Sequence, residues 1–471
     1  MVIKKIMRIF LRNCCYSITG NIIALVVSVC MILVIPRYIT TYDYGMWQLF
    51  IFYFSYAGLL HMGWEDGIYL RYAGKSYNDI DKSMIWGQIV AVFLCQCIVG
   101  IAIYAIVMIF YPVCDKGVIF KFIAIALILA NTNNLFSFIF QITSRIKDYA
   151  QITAIEPMCF IIMIMLSLFY GICDYLSLII CKFISLASEC MLGMYLLSSI
   201  RKSKIPTISS IYHESKINIV VGSKLMLANI ASMLVIGIVR FGISEGWDVV
   251  TFGKVSLTLS VSNFLLVFIN AVSIVLLPTL KNIANDIRQK LYIAGRSLLT
   301  TAMLSMLLLY YPLNCFLSLW LPQYVDALIY MAVLFPICLY ETRMGLLIST
   351  YLKAMRQEKL MLKINVISVL FSAAITICTV YGIHELTACV ASIVVIFAFR
   401  CYFAEIKLSK ILNCHLIGAI INESIVIALF MLSAWFIGGI AGAFVYMCIL
   451  MIYIGNNIKK IKNSIKLINN R

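Results

Sequence analysis

Charge is what this sequence has least of: Asp, Glu, Lys and Arg make up only 12% of 471 residues, about half of the ~25% usual in a soluble domain. That excludes a soluble enzyme, and with so many apolar residues it excludes a disordered chain as well. Histidine is scarcer still. His61, His213, His384 and His415 stand far apart without cysteine partners at zinc spacing, so no metal site is expected. A phosphate-cradling G-x-x-x-x-G-K-[ST] loop is missing, so the chain does not itself hydrolyse a nucleotide, and no cofactor is expected. His213 beside Glu214 reads as a solvated pair on a linker, not as catalysis.

What is present is apolar: 63% of the residues are of the AVILMFWYC type. A helix crossing a ~30 Å hydrocarbon core takes ~20 residues, and the apolar runs provide fourteen such spans. They fall at 16–35, 45–63, 84–111, 118–142, 150–170, 175–198 and 225–243, then at 249–278, 298–317, 327–352, 364–381, 384–403, 417–437 and 440–458. The fold class is an all-α polytopic membrane protein. The seventeen cysteines are scattered through these spans, where a free cysteine is a small apolar residue.

The basic residues test this layout. Lys and Arg number 37 against 20 acids, and such an excess should collect in cytoplasmic connections. With the N-terminus inside, 30 of the 37 fall in cytoplasmic segments, Arg71, Arg296 and Arg400 among them. This sets both termini in the cytoplasm. The excess follows from topology and an anionic inner leaflet, so nucleic acid is not an expected partner. The external connections are short, which weighs against a sugar polymerase. The longest cytoplasmic connection, 199–224, reads as a linker between halves.

Function should then lie where polar atoms sit among apolar helices. Asn131, Asn134 and Gln141 share one side of the fourth span, and Asn229, Ser232 and Arg240 align in the seventh. Ser256, Ser260, Asn263 and Asn270 mark the eighth, and Asn365, Ser368, Ser372, Thr376 and Thr379 the eleventh. Such faces line a helix interface or water, and four of them favour a water-filled cavity. Ionisable residues inside spans are functional candidates by default: Lys182, Arg240 and Arg343 among the bases, Glu156, Glu189, Glu341 and Glu423 among the acids, these last for ion coupling. Lys182 and Glu189 are too far apart along their helix to pair. Pro336, just before Glu341 and Arg343, should bend the tenth span.

The linker divides twelve spans six and six, with weak similarity across it. Tyr44-Gly45 opens the second span as Phe252-Gly253 opens the eighth, offset by 208 residues. The segment Tyr44-Gly45-Met46-Trp47-Gln48-Leu49-Phe50, with His61-Met62-Gly63-Trp64-Glu65-Asp66-Gly67-Ile68-Tyr69-Leu70-Arg71-Tyr72, resembles the second span and following loop of bacterial polysaccharide-export flippases. These are the O-antigen and teichoic-acid type, within the multidrug/oligosaccharidyl-lipid/polysaccharide exporter superfamily. The resemblance implies two pseudo-symmetric six-helix lobes in a V shape, 1–205 and 206–412, plus a C-terminal helix pair and basic tail, 413–471. It further implies translocation of an undecaprenyl-diphosphate-linked oligosaccharide from the inner to the outer leaflet of the bacterial cytoplasmic membrane, by alternating access coupled to ions or membrane potential. A polysaccharide polymerase and glycosyltransferases are the implied partners, besides membrane lipids, and a monomer is expected.

For that cargo Arg37, Lys182, Arg240 and Arg343 are the candidates to meet the diphosphate, with Asn131, Asn134, Asn263 and Asn270 for sugar hydroxyls. The first span carries no charge, which departs from the peptidoglycan lipid-precursor flippase and from drug exporters with an amino-lobe acid. Both stand as alternatives. An embedded acyl- or glycosyltransferase would need paired carboxylates or a histidine on a substantial loop.

Overall fold

Lipid offers no partner to a bare peptide group, so apolar runs of this length must satisfy their backbones within helices. The computed structural model describes residues 26–73, 77–262 and 285–469, and every regular element among them is helical. The chain divides into two compact units, residues 1–230 and 231–471.

The first unit holds α1 (Val26–Tyr38), α2 (Thr41–Ser55), α3 (Trp64–Tyr72), α4 (Lys82–Phe110), α5 (Asp115–Ile142), α6 (Ile146–Phe169), α7 (Tyr175–Leu196) and the beginning of α8 (Ile208–Gly246). Side chains set the starts: Asp81 Oδ1 accepts from the Met84 amide at 3.1 Å and Asp174 Oδ1 from the Ser177 amide at 2.9 Å, each satisfying a first-turn donor. The long hairpins α4–α5 and α6–α7 pack along their lengths, and α5 also touches α2, α3 and α7. Ile68, Ile89, Phe136, Phe140 and Ile152 close the core where α3 to α6 meet.

The second unit holds the rest of α8, α9 (Val249–Ser262), α10 (Asn285–Met306), α11 (Tyr310–Trp320), α12 (Met331–Ala354), α13 (Glu358–Ile377), α14 (Leu386–Ile411), α15 (Ile417–Leu432) and α16 (Gly439–Asn469). Its most enclosed element is α12, packed on α14 and α10. Pro336 interrupts this helix between Leu334 and Ile337, and a π-helical stretch follows at Arg343–Ile348.

Among the described residues, eleven helices are long and apolar enough to cross a bilayer, which makes the chain a multi-pass membrane protein. Ile101, Ile109, Phe110, Ile162, Leu370 and Ile440 are exposed, as lipid-facing residues should be. The first and eighth expected spans extend beyond the described residues, and Asn263 and Asn270 lie outside them.

Two expectations change. The span at 45–63 is broken: α2 ends at Ser55, a 3₁₀ turn covers Ala57–His61, and α3 starts after Met62 and Gly63, both left-handed at φ 55° and 77°. The connection at 199–224 is mostly helix, because α8 begins at Ile208. Glu214, Ser215 and Asn218 bond to other helices, while Ser209, Ser210, His213 and Lys216 are exposed. The boundary between the units consequently falls inside α8, beyond the position expected from a linker.

The internal similarity extends to capping. Thr40 Oγ1 accepts from the Asp43 amide at 3.0 Å, and Asp248 Oδ1 accepts from the Thr251 amide at 3.0 Å. Thr40 and Asp248 stand in the same 208-residue register as Tyr44 and Phe252, and both aromatics are buried. Cap, aromatic and glycine thus recur together at the starts of α2 and α9.

Candidate transport site

In the first unit, polar side chains on α5 knit helices together. Asn131 Nδ2 donates to Gln96 Oε1 at 2.8 Å and to the Ala57 carbonyl at 3.3 Å, and Asn131 is only 1% exposed. Interhelical bonding therefore satisfies it, and no water-filled passage is needed at this residue. Asn134, half-buried, donates to Glu65 Oε2 at 2.6 Å. Glu65 is itself wholly buried. Asn133, on the neighbouring face of α5, donates to Glu189 Oε2 at 3.0 Å.

Lys182 and Glu189, too distant to pair, each have another partner. Lys182 Nζ reaches Glu156 Oε1 at 2.5 Å across α6 and α7, Ser185 Oγ donates to the same oxygen at 3.2 Å, and the ammonium lies over the Phe160 ring. One base and one acid from the candidate set thus neutralise each other.

A second network fastens α8 to α3 and α4. Arg71 Nη1 donates to Glu214 Oε1 at 2.6 Å and to Asn218 Oδ1, and the Tyr72 hydroxyl donates to the same Glu214 oxygen at 2.7 Å. Gln88 Oε1 accepts from the Trp64 indole at 2.7 Å and from Asn218 Nδ2 at 3.2 Å. Between these bonds the backbones touch. A Cβ on Gly67 would lie 1.9 Å from the Asn218 carbonyl oxygen, and one on Gly222 would lie 1.9 Å from that of Gly63. Only glycine permits this approach.

The second unit contains a closed ring of four charges. Arg296 on α10 donates from Nε to Glu405 Oε1 at 2.5 Å and from Nη1 to Glu423 Oε1 at 2.6 Å. Arg343 on α12 donates from Nη1 to Glu405 Oε2 at 3.3 Å and from Nη2 to Glu423 Oε2 at 2.8 Å. Each carboxylate, on α14 and α15 respectively, joins both guanidiniums. No side chain of the four exceeds 5% exposure. Thr300 Oγ1 and the Tyr292 hydroxyl complete the shell. Burying four ions is costly, and mutual pairing together with full hydrogen bonding offsets that cost.

Five residues along α14 from Glu405, and so on another side of it, Arg400 gathers a second group. Its Nη2 donates to Ser232 Oγ at 2.7 Å and to Asn365 Oδ1 at 3.1 Å, and its Nη1 lies 3.3 Å from Glu341 Oε1. The polar stripes of α8 and α13 thus meet one arginine. Three other stripe hydroxyls are satisfied by backbone: Ser368 and Thr379 bond back one turn within their helix, and Ser372 donates to the Val235 carbonyl at 2.7 Å. Arg240, half-buried, donates from Nη2 to Ser256 Oγ at 3.0 Å and lies over the Phe252 ring. Arg37 is exposed at the end of α1.

The structure therefore brings Arg343 together with Glu423, and Lys182 with Glu156, while Asn134 and Glu189 meet residues outside the proposed set. Asn131 is committed to holding helices. Arg343 is enclosed by the ring and has no open face for a ligand in this conformation. Arg296, Glu405 and Arg400 are missed as interior residues, because charged residues near span ends read as parts of connections. A helix running from Asn285 takes in Arg296, and the available signal is two bases and one acid within a few residues of the expected span ends.

The chain is similar in fold to the lipid II flippase MurJ in an inward closed conformation, with a TM-score of 0.67 and 14% identity, over 95% of this chain and 100% of that one. A MOP superfamily transporter from Pyrococcus furiosus Vc1 (DSM3638) gives 0.48 with 12% identity, over 86% and 96% of the two chains. A MATE in the straight conformation gives 0.47 with 11% identity over the same shares. No model of a known protein family matches the chain. No curated protein matches it. Likeness at 14% identity speaks for the fold.

Proposed function

We propose that this protein is a flippase that carries a prenyl-diphosphate-linked oligosaccharide, undecaprenyl-linked in bacteria, from the inner to the outer leaflet of the cytoplasmic membrane by alternating access. The observation that carries this reading is the fold likeness to a lipid II flippase over 95% of this chain and all of that one. The resemblance of Tyr44 to Tyr72 to polysaccharide-export flippases supports a repeat-unit oligosaccharide as cargo. Arg240, half-buried over the Phe252 ring, is the residue we assign to the diphosphate, because a guanidinium in a low-dielectric setting offers two parallel donors to phosphate oxygens. Glu156, Glu189 and Glu341 remain the coupling candidates. Arg343 and Glu423 act through the integrity of their ring.

Leaflet-resolved labelling of lipid-linked oligosaccharide in a strain lacking the protein tests the proposal. Labelled sugar accumulating on the inner leaflet, restored to the outer by the intact gene, is the expected result. Normal transbilayer distribution of every lipid-linked sugar in that strain would falsify it. The fold of the MurJ neighbour makes the peptidoglycan precursor the second reading, and inner-leaflet build-up of that precursor alone would select it.

A further inference from the structure

The ring of charges has an opening. A cavity of about 410 Å³ lies among α10, α15 and α16, with Arg296 and Glu423 at its floor. Lys290, His415 and Lys460 stand around it, from α10, from the turn before α15 and from α16. Among the described lining residues the one carboxylate, Glu423, is bridged to both Arg296 and Arg343. The floor is therefore neutral and the rim is cationic. Asn422 and Asn463 add amide groups to the lining.

The same cavity has an apolar side. Ala419, Leu416 and Ile293 line it, Ile293 is 42% exposed, and Ile421, beside Asn422, is 53% exposed. Cations from separate elements around an amide-bearing hollow suit a phosphate group. Exposed apolar residues at its edge suit an acyl chain. A ligand carrying both lies at the bilayer interface, where lysines attract anionic lipid.

We infer that this cavity is a binding site for an anionic phospholipid, its phosphate held by Lys290 and Lys460 and its acyl chain laid over Ile293 and Ile421. The site is separate from the cargo path proposed above and does not rest on it. Because the phosphate sits above Arg296, occupancy joins α10, α15 and α16 and steadies the ring beneath.

Thermal unfolding of the delipidated, full-length protein tests this. Phosphatidylglycerol should raise the melting temperature by several degrees, while phosphatidylcholine with the same chains and glycerol 3-phosphate at the same concentration should not. Lys290→Gln with Lys460→Gln should lose that shift, with at least tenfold weaker apparent affinity, and keep the lipid-free melting temperature. A shift of equal size in this variant, or with phosphatidylcholine, overturns the site. An equal shift with glycerol 3-phosphate overturns the lipid as its source and assigns a free phosphate ester instead. Should the variant melt early without lipid, a photoreactive side chain at Asn463 in the otherwise native protein decides. Crosslinking to phosphatidylglycerol well above phosphatidylcholine supports the inference, and equal crosslinking overturns it.

Discussion

Arg343 and Glu423, 80 residues apart in sequence, meet with Nη2 and Oε2 at 2.8 Å in the interior of the second unit. The contact turns a base and an acid that sequence reasoning assigned to different tasks, cargo binding and ion coupling, into parts of one ring. Removing either leaves a buried ion without its partner. Arg343→Leu or Glu405→Leu alone should destabilise the protein by about 3–5 kcal/mol, whereas the two together should cost much less. Detergent-solubilised thermal or denaturant unfolding of the three variants gives the coupling energy. Additive losses would show the ring to be energetically unimportant.

The close approach of α3 and α8 makes a sharper steric prediction. Gly67→Ala and Gly222→Ala should each force backbones apart and lower both the yield of folded protein and its melting temperature. Gly58→Ala, where an added Cβ meets nothing within 4 Å, should change neither. Similar behaviour of all three would contradict the packing described.

Arg240 is the test of the cargo assignment. Arg240→Ala should abolish export of surface polysaccharide while membrane insertion and melting temperature stay near those of the parent. Arg240→Lys should recover only part of it, since an ammonium cannot offer two parallel donors. Unchanged export in the alanine variant removes this residue from the site.

Arg400 holds Ser232, Asn365 and Glu341 from three other helices. Arg400→Lys keeps the charge and cannot span all three partners, so a loss of about 1–3 kcal/mol is expected. Asn365→Ala should produce a smaller loss, and adding it to Arg400→Lys should add little. Unfolding measurements on both variants and their combination check this.

The helices were legible because hydropathy over some twenty residues is a property of local sequence, and the bilayer imposes the length. Lys182 could be recognised as needing a partner, but its choice of Glu156 depends on how α6 lies against α7. Arg296 and Arg400 were misplaced for a related reason: a basic residue near the end of an apolar run has the same local context whether it enters water or turns inward. The deciding information is a carboxylate 109 residues away for Arg296 and one 59 residues away for Arg400. The α8 segment misleads in the opposite direction, since Glu214, Ser215 and Asn218 suggest solvent while they bond to α3 and α4.

The ring of Arg296, Arg343, Glu405 and Glu423 brings together two positive and two negative groups. A transmembrane voltage does work only on net charge, about 2.3 kcal/mol per elementary charge for each 100 mV crossed. Displaced as a block, the quartet is electrically silent. Any voltage sensitivity of a transport cycle must then come from charges that move without a matching counter-ion, the diphosphate of the proposed cargo foremost among them.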